Sequence, residues 1–201
     1  MIAILDYDAG NIKSVEKAIE YLGEECIVTR DRHEIMKADK AILPGVGSFG
    51  DAMDKIRKYG LEEVIHEFIE TKKPFLGICL GLQVLFEESE ETPGVKGLGI
   101  LKGKIHRIPD SKDTPVPQIG WNDLCIKEGA ALFKGLEKNP YVYFVHSYYL
   151  KAENREDVAA TTNYSVDIDA SVERGNVYAC QFHPEKSSDV GLKILKNFIE
   201  L

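Results

Sequence analysis

The sequence predicts an α/β fold: a mixed, largely parallel central sheet flanked by helices, continued by a β-rich second half. Three observations carry that prediction. Up to Thr92, short apolar runs alternate with amphipathic stretches, the pattern of parallel strands covered by helices. Beyond Thr92, glycine and proline become frequent and strand-like alternation takes over. The last stretch, Asp189 to Leu201, is amphipathic again, with Val190, Leu192, Ile194, Leu195, Phe198 and Ile199 forming an apolar face that can pack back onto the sheet.

The elements follow in order. Met1 to Asp6 is the first strand. Ile12, Val15, Ala18, Ile19 and Leu22 have helical spacing, and Gly23 is the stop. Cys26 to Thr29 and Ala41 to Leu43 are the next strands. After Pro44-Gly45-Val46-Gly47, helices run from Phe49 to Tyr59 and from Leu61 to Thr71, separated by Gly60. Phe75 to Ile78 is a strand, and Leu80 to Glu88 is the helix after it. The β-rich half offers Ile100 to Ile108, Tyr141 to Leu150, Asp157 to Thr162, Val166 to Glu173 and Val177 to Phe182. The loop Pro109 to Pro117 carries three prolines but is too short to separate domains.

With 201 residues, 44% of them hydrophobic, one domain over 1-201 is expected. A net charge of -8 and the lack of a Lys/Arg-rich block disfavour nucleic acid and anionic membrane surfaces as partners. No window reaches the ~18 apolar residues of a membrane span, and Asp6 and Asp8 interrupt the apolar start too soon for a signal peptide, so a cytoplasmic chain is expected. Cys26, Cys79, Cys125 and Cys180 are widely spaced with no CxxC pair, which argues against metal binding and disulfides.

One cysteine differs from the others. In Gly77-Ile78-Cys79-Leu80-Gly81 a strand ends, a thiol follows, and a helix begins. This is the layout of a nucleophile elbow, where the reactive residue sits on a strained turn and neighbours two positions away must lack side chains. The following helix points amides and the positive end of its dipole at the sulfur, which favours the thiolate. The Leu80 amide is placed to donate to an oxyanion. Cys26, Cys125 and Cys180 lie in apolar alternation and read as buried structural residues.

A thiol nucleophile needs a base. His33 and His66 lie in polar helical stretches and His106 at an exposed strand position, whereas His183, in Gln181-Phe182-His183-Pro184-Glu185, sits at a strand end, where α/β folds gather their sites. Pro184 should hold the link extended so that Glu185 projects to the same side and fixes the imidazole tautomer. Gly45, Val46 and Gly47 follow another strand at the same predicted sheet edge, and backbone amides there can meet a developing oxyanion, each worth ~3 kcal/mol.

Together, PGVG, GICLG and HPE in that order resemble class I (triad) glutamine amidotransferases, over essentially the whole chain. Gly10-Asn11, Gln83, Gln118-Ile119-Gly120-Trp121-Asn122, Val145 to Tyr149 and Gln181 to Ser187 narrow the resemblance to the glutaminase subunits of imidazole glycerol phosphate synthases, of histidine biosynthesis. The resemblance implies a flavodoxin-like arrangement of the sheet. It implies Cys79 as nucleophile, His183 as general base then acid, and Glu185 as its orienter. Val46 or Gly47, with Leu80, would supply oxyanion amides, while Gly45, Gln83, His146, Ser147 and Tyr148 would hold glutamine. Asn11, Trp121, Asn122, Tyr143 and Lys186 would lie at or near a partner interface. That partner would be a (β/α)8-barrel cyclase receiving ammonia, and neither metal nor cofactor is implied. One residue departs from the family pattern: the loop usually written DYGxGN has Asp8 in place of its first glycine. The glutaminase of another synthase, and a non-catalytic module of the same fold, are the alternatives.

Overall fold

The computed structural model describes residues 1–201. The first strand, β1 (Ile2–Leu5), is buried at every position because it lies between two parallel neighbours, β2 (Cys26–Thr29) and β3 (Lys40–Leu43). Its residues alternate between two cores. Ala3 and Leu5 face one, with Ala41, Leu43 and Phe75, and Ile2 and Ile4 face the other, with Ile42, Leu76 and Ile78. Helices α2 (Arg32–Lys37), α3 (Phe49–Lys58) and α4 (Leu61–Glu70) contribute to the first core. Helix α1 (Ile12–Tyr21) and the C-terminal helix, given below, contribute to the second. Truncating one fully buried residue such as Ile4 to alanine would cost about 2–5 kcal/mol.

The next strand is β4 (Phe75–Ile78), followed by the short helix α5 (Leu80–Val84). The second half adds β5 (Glu88–Ser89), β6 (Gly103–Arg107), β7 (Gln118–Asp123), β8 (Cys125–Ile126), β9 (Tyr141–His146), β10 (Tyr148–Ala152), β11 (Val158–Tyr164), β12 (Val166–Arg174) and β13 (Val177–Cys180), and α6 (Ser188–Ile199) closes the chain. The main sheet has the order β2-β1-β3-β4-β13-β12-β11-β8, parallel as far as β13 and antiparallel beyond it. A three-stranded sheet, β10-β6-β5, and the antiparallel ribbon β7-β9 complete the architecture.

The differences from the sequence expectations have local causes. Helix α5 stops at Val84, not Glu88, because the carbonyls of Val84, Phe86 and Glu87 accept from Leu98, Gly99 and Gly97. The single strand expected over Tyr141 to Leu150 is two strands in different sheets, with its corner at Ser147. Strand β13 ends at Cys180, not Phe182, because the chain swings toward β9, where His183 N–H donates to Tyr143 at 3.0 Å. Cys125, expected to be buried, is exposed, on the two-residue edge strand β8.

Candidate active site

Register decides where the chemistry gathers. Leu43 pairs with Gly77, and Ile78 with Cys180, so the chain leaves three neighbouring parallel strands on one edge. Pro44 to Gly47, Cys79, and Gln181 to Glu185 therefore emerge side by side. The Cys79 N–H donates to the Cys180 carbonyl at 2.8 Å, joining two of these exits directly.

Cys79 adopts φ 54° and ψ -106°, a conformation that residues with a side chain avoid. The surrounding glycines explain how the turn is tolerated. A Cβ on Gly77 would lie 2.6 Å from the Gly81 carbonyl oxygen, and one on Gly81 would lie 1.8 Å from that of Leu43. The elbow is thus wedged against its own helix on one side and the β3 backbone on the other.

His183 and Glu185 pair at 2.7 Å through Nδ1 and Oε1, with side chains only 1% and 0% exposed. Residues 184 to 186 form a 3-10 turn instead of the extended link expected from Pro184, and the turn folds the carboxylate back under the ring. Burial by itself would lower the His183 pKa, but the attraction of the charged ring for nearby Cys79 and Glu185 outweighs it and raises the value to about 10. Nε2 is buried and makes no hydrogen bond. The imidazole is therefore held by a carboxylate at one nitrogen and left free for the sulfur at the other.

Asn11, expected at a partner interface, reaches this pair. Its Nδ2 donates to Glu185 Oε1 at 2.5 Å and lies 3.4 Å from His183 Nδ1. The residue sits at φ 72°, just ahead of α1, in the same exit loop as Tyr7 and Gly10.

In front of Cys79 lies a cavity of about 270 Å³, lined by Val46, Gly47, Leu80, Gln83, His146, Ser147 and Tyr148, and also by Val145, Pro117 and Glu91. Gly45 does not line it: its carbonyl accepts from Leu80 N–H at 3.2 Å. The amide expected to face an oxyanion is thus already engaged. Gln83 donates to the Tyr148 carbonyl at 3.1 Å and to Gln181 Oε1 at 3.0 Å, and Gln181 Nε2 lies 3.7 Å from the Cys79 sulfur. His146 spends its ring on the fold, with Nδ1 donating to the Tyr148 carbonyl at 2.7 Å and Nε2 facing the Gln118 amide at 2.8 Å. Burial lowers its pKa to about 4, so it stays neutral. Its contribution is to fix the Ser147-Tyr148 backbone at the corner.

Glu91 carries no signal of its own in the sequence. Its carboxylate accepts from Phe49 N–H at 2.7 Å and contributes the acidic wall of the cavity. A cavity of this size, with the Glu91 carboxylate and Cys79 in its lining, has room for a small molecule that carries a cationic group.

The remaining residues lie on the ribbon. Trp121 pairs with Tyr143 across β7 and β9, their rings edge-on at 6.1 Å, and Trp121 is 52% exposed. Exposed Ile119 and Tyr141 share that face by strand alternation. Asn122 points the other way and donates to the Asn163 carbonyl at 2.9 Å. Lys186 is exposed and ends the turn that carries Glu185.

The chain matches known proteins over its whole length. A family model described as glutamine amidotransferase class-I covers residues 3–201. The imidazole glycerol phosphate synthase subunit HisH of Caldanaerobacter subterraneus is 48% identical over 201 residues, spanning 100% of this chain and 98% of the relative. The subunit of that name from Methanocaldococcus jannaschii is 46% identical over 201 residues, with 100% of each covered. Among solved structures, a glutamine amidotransferase superposes with a TM-score of 0.77 at 21% identity, covering 99% of this chain and 97% of that one. PurLQS from Thermotoga maritima gives a TM-score of 0.76 at 20% identity, with the same coverage. At that identity the structural likeness speaks for the fold.

Proposed function

The chain belongs to the class I glutamine amidotransferase family, and from that premise we propose that it is the glutaminase subunit of an imidazole glycerol phosphate synthase, one amidotransferase domain over 1-201, working in the cytoplasm. The observation that carries the reading is the placement of Cys79, on its strained elbow, near the buried His183–Glu185 pair and beside a cavity with room for glutamine.

Cys79 attacks the side-chain amide carbon of glutamine while the charged imidazole of His183 gives its proton to departing ammonia. His183 then takes a proton from water, which releases glutamate from the thioester. Glu185, steadied by Asn11, keeps Nδ1 protonated and the ring in place. Glu91 faces the substrate ammonium. The tetrahedral oxyanion needs donors, and here Gly45 occupies the Leu80 amide. Turning the Gly45–Val46 peptide would remove that carbonyl, free Leu80 N–H and bring Val46 N–H round in a single motion. This rotation is the gate: the lone chain is held nearly inactive, and glutamine is spared until an acceptor is ready.

The acceptor lies on a partner. A (β/α)8-barrel cyclase docks on the ribbon face of Ile119, Trp121, Tyr141 and Tyr143, with Lys186 nearby, and uses the ammonia to form imidazole glycerol phosphate and the aminoimidazole carboxamide ribotide. Exposed Trp121, packed edge-on against half-buried Tyr143, is the kind of aromatic anchor that interfaces use. The test is co-purification of this chain with a barrel cyclase, followed by glutamate release with and without the phosphoribosyl-bearing aminoimidazole carboxamide precursor. Activity that needs both the cyclase and the precursor, and is lost in Cys79→Ala, supports the reading. Full turnover by the lone chain would refute the gate, and no labelling of Cys79 by a glutamine-analogue electrophile in the complex would refute the enzyme.

A further inference from the structure

The loop from Asp6 to Asn11 touches the gate on two sides. Tyr7 Oη donates to the Pro44 carbonyl at 2.8 Å and stands where a Cβ on Gly45 would be, 1.9 Å away. Gly10 packs so closely on Val46 that a Cβ there would lie 2.7 Å from Val46 Cγ2. Pro44 and Val46 flank Gly45, so the loop grips the residues on both sides of the one whose carbonyl covers Leu80. The close packing of Val46 on Gly10 restrains the change in Val46 φ that turning this peptide needs.

The outer edge of the same loop is pinned by charge. Arg30 Nη2 donates to Asp6 at 2.7 Å and to Asp8 at 2.6 Å, and its guanidinium lies 4.0 Å from the centre of the Tyr59 ring. The Tyr59 hydroxyl donates to the Asp8 carboxylate, and Lys55 donates to the Asp8 carbonyl at 3.1 Å. Lys55 lies on α3 and Tyr59 caps it, and α3 continues directly from the gate. Asp8 itself is at φ 59°, a left-handed conformation that a glycine would take without strain. Asp8 is held in that conformation by partners on two elements, the Arg30 side and α3.

We propose that Asp8 is a positioning residue: locked by Arg30 and Tyr59, it presses the loop against Pro44 and Val46 and holds the Gly45–Val46 peptide in the orientation that covers the Leu80 amide. The proposal rests on the glutaminase reading above. Releasing the lock lowers the cost of turning the peptide, so basal turnover rises and turnover in the activated complex, where the peptide has already turned, stays as it was. Loss of structure cannot produce that pattern, because it lowers both rates together.

The test uses the chain co-expressed with its barrel cyclase. Asp8→Asn tolerates the left-handed backbone while removing the charge, and Arg30→Gln removes the other half of the pair. Each is expected to raise glutamate release without the nucleotide precursor by about threefold, the scale of one exposed ion pair, with the same precursor-saturated kcat and the same KM for glutamine. The double variant should raise the basal rate by less than the product of the two single effects, since both break the Arg30–Asp8 pair. Raising salt should increase the basal rate of the parent, and increase that of Asp8→Asn by less, because only the Arg30–Asp6 pair remains there to be screened. A basal rate that is unchanged or lower in both variants, or insensitive to salt in the parent, overturns the proposal while the glutaminase assignment stands. A parent complex that releases no glutamate even with the precursor overturns the assignment, and the proposal falls with it.

Discussion

Gly81→Ala isolates the elbow from everything else in the site. The added Cβ would stand 1.8 Å from the Leu43 carbonyl oxygen and 2.9 Å from its carbon, both backbone atoms of β3. Carbon and oxygen come no closer than about 3.3 Å even in attractive contacts, so α5 or the end of β3 must retreat by about 1.5 Å. Neither is free to do so. Leu43 is held in register with Gly77, and Leu80 is bonded to Gly45, so the strain falls on the segments that carry Cys79 and the Gly45–Val46 peptide. Overpacking of this kind costs about 3 kcal/mol. For a domain of this size that corresponds to a fall in melting temperature of roughly 10 °C. A shift of about 1 Å at the thiol can lower kcat by about 10²-fold. The assays are a thermal melt of the chain and glutamate release by the activated complex. A variant with the parent's melting temperature and kcat would show that the elbow is not wedged as described, and neither glycine would then be required.

Three further outcomes are expected. The two buried histidines titrate in opposite directions from an ordinary value of 6.5. His146, lowered to about 4 by burial, withholds stability as pH falls from 6.5 to 4, and His183, raised to about 10, loses its contribution as pH rises from 6.5 to 10. Stability should therefore peak near pH 6.5 in denaturant titrations across this range, and a curve still climbing at pH 9 would contradict the His183 environment. Glu91→Gln should raise the KM for glutamine about tenfold with kcat nearly unchanged, because it removes a charged contact present before and during reaction. Equal falls in kcat and kcat/KM would instead place Glu91 in the chemistry. Trp121→Ala should weaken cyclase binding by about 2 kcal/mol, roughly 30-fold in Kd by calorimetry, while the melting temperature of the free chain holds. An unchanged Kd would move the docking face elsewhere.

The elbow is legible in the sequence because its physics is local. A thiol between two glycines at a strand end points strongly to a tight turn around a reactive group, and the structure shows the contacts that side chains at positions 77 and 81 would make. The parallel half is legible for a similar reason, since apolar runs and helical spacing alternate there at short range. What stays hidden depends on distant partners. Asn11 meets Glu185 across 174 positions, and nothing in the residues around Asn11 announces that. Glu91 sits in a run of acidic residues that reads as a solvated face, yet it caps α3 and lines the cavity. The corner at Ser147 is masked because alternation continues through it without glycine or proline, although the strands on either side join different sheets. The state of the Leu80 amide is set by a carbonyl on another loop, and only folded geometry reveals it.

The position of β13 has a consequence for how this protein is made. The strand is synthesised after the twelve others, yet it occupies the interior of the main sheet, between β4 and β12. A growing polypeptide on the ribosome exposes its thiol while the imidazole, its carboxylate and the carbonyl that ties down the elbow are still untranslated. On the proposed mechanism, chains that stop before Val177 are expected to leave glutamine untouched, and so is either fragment of a chain cut between Ile78 and Val177.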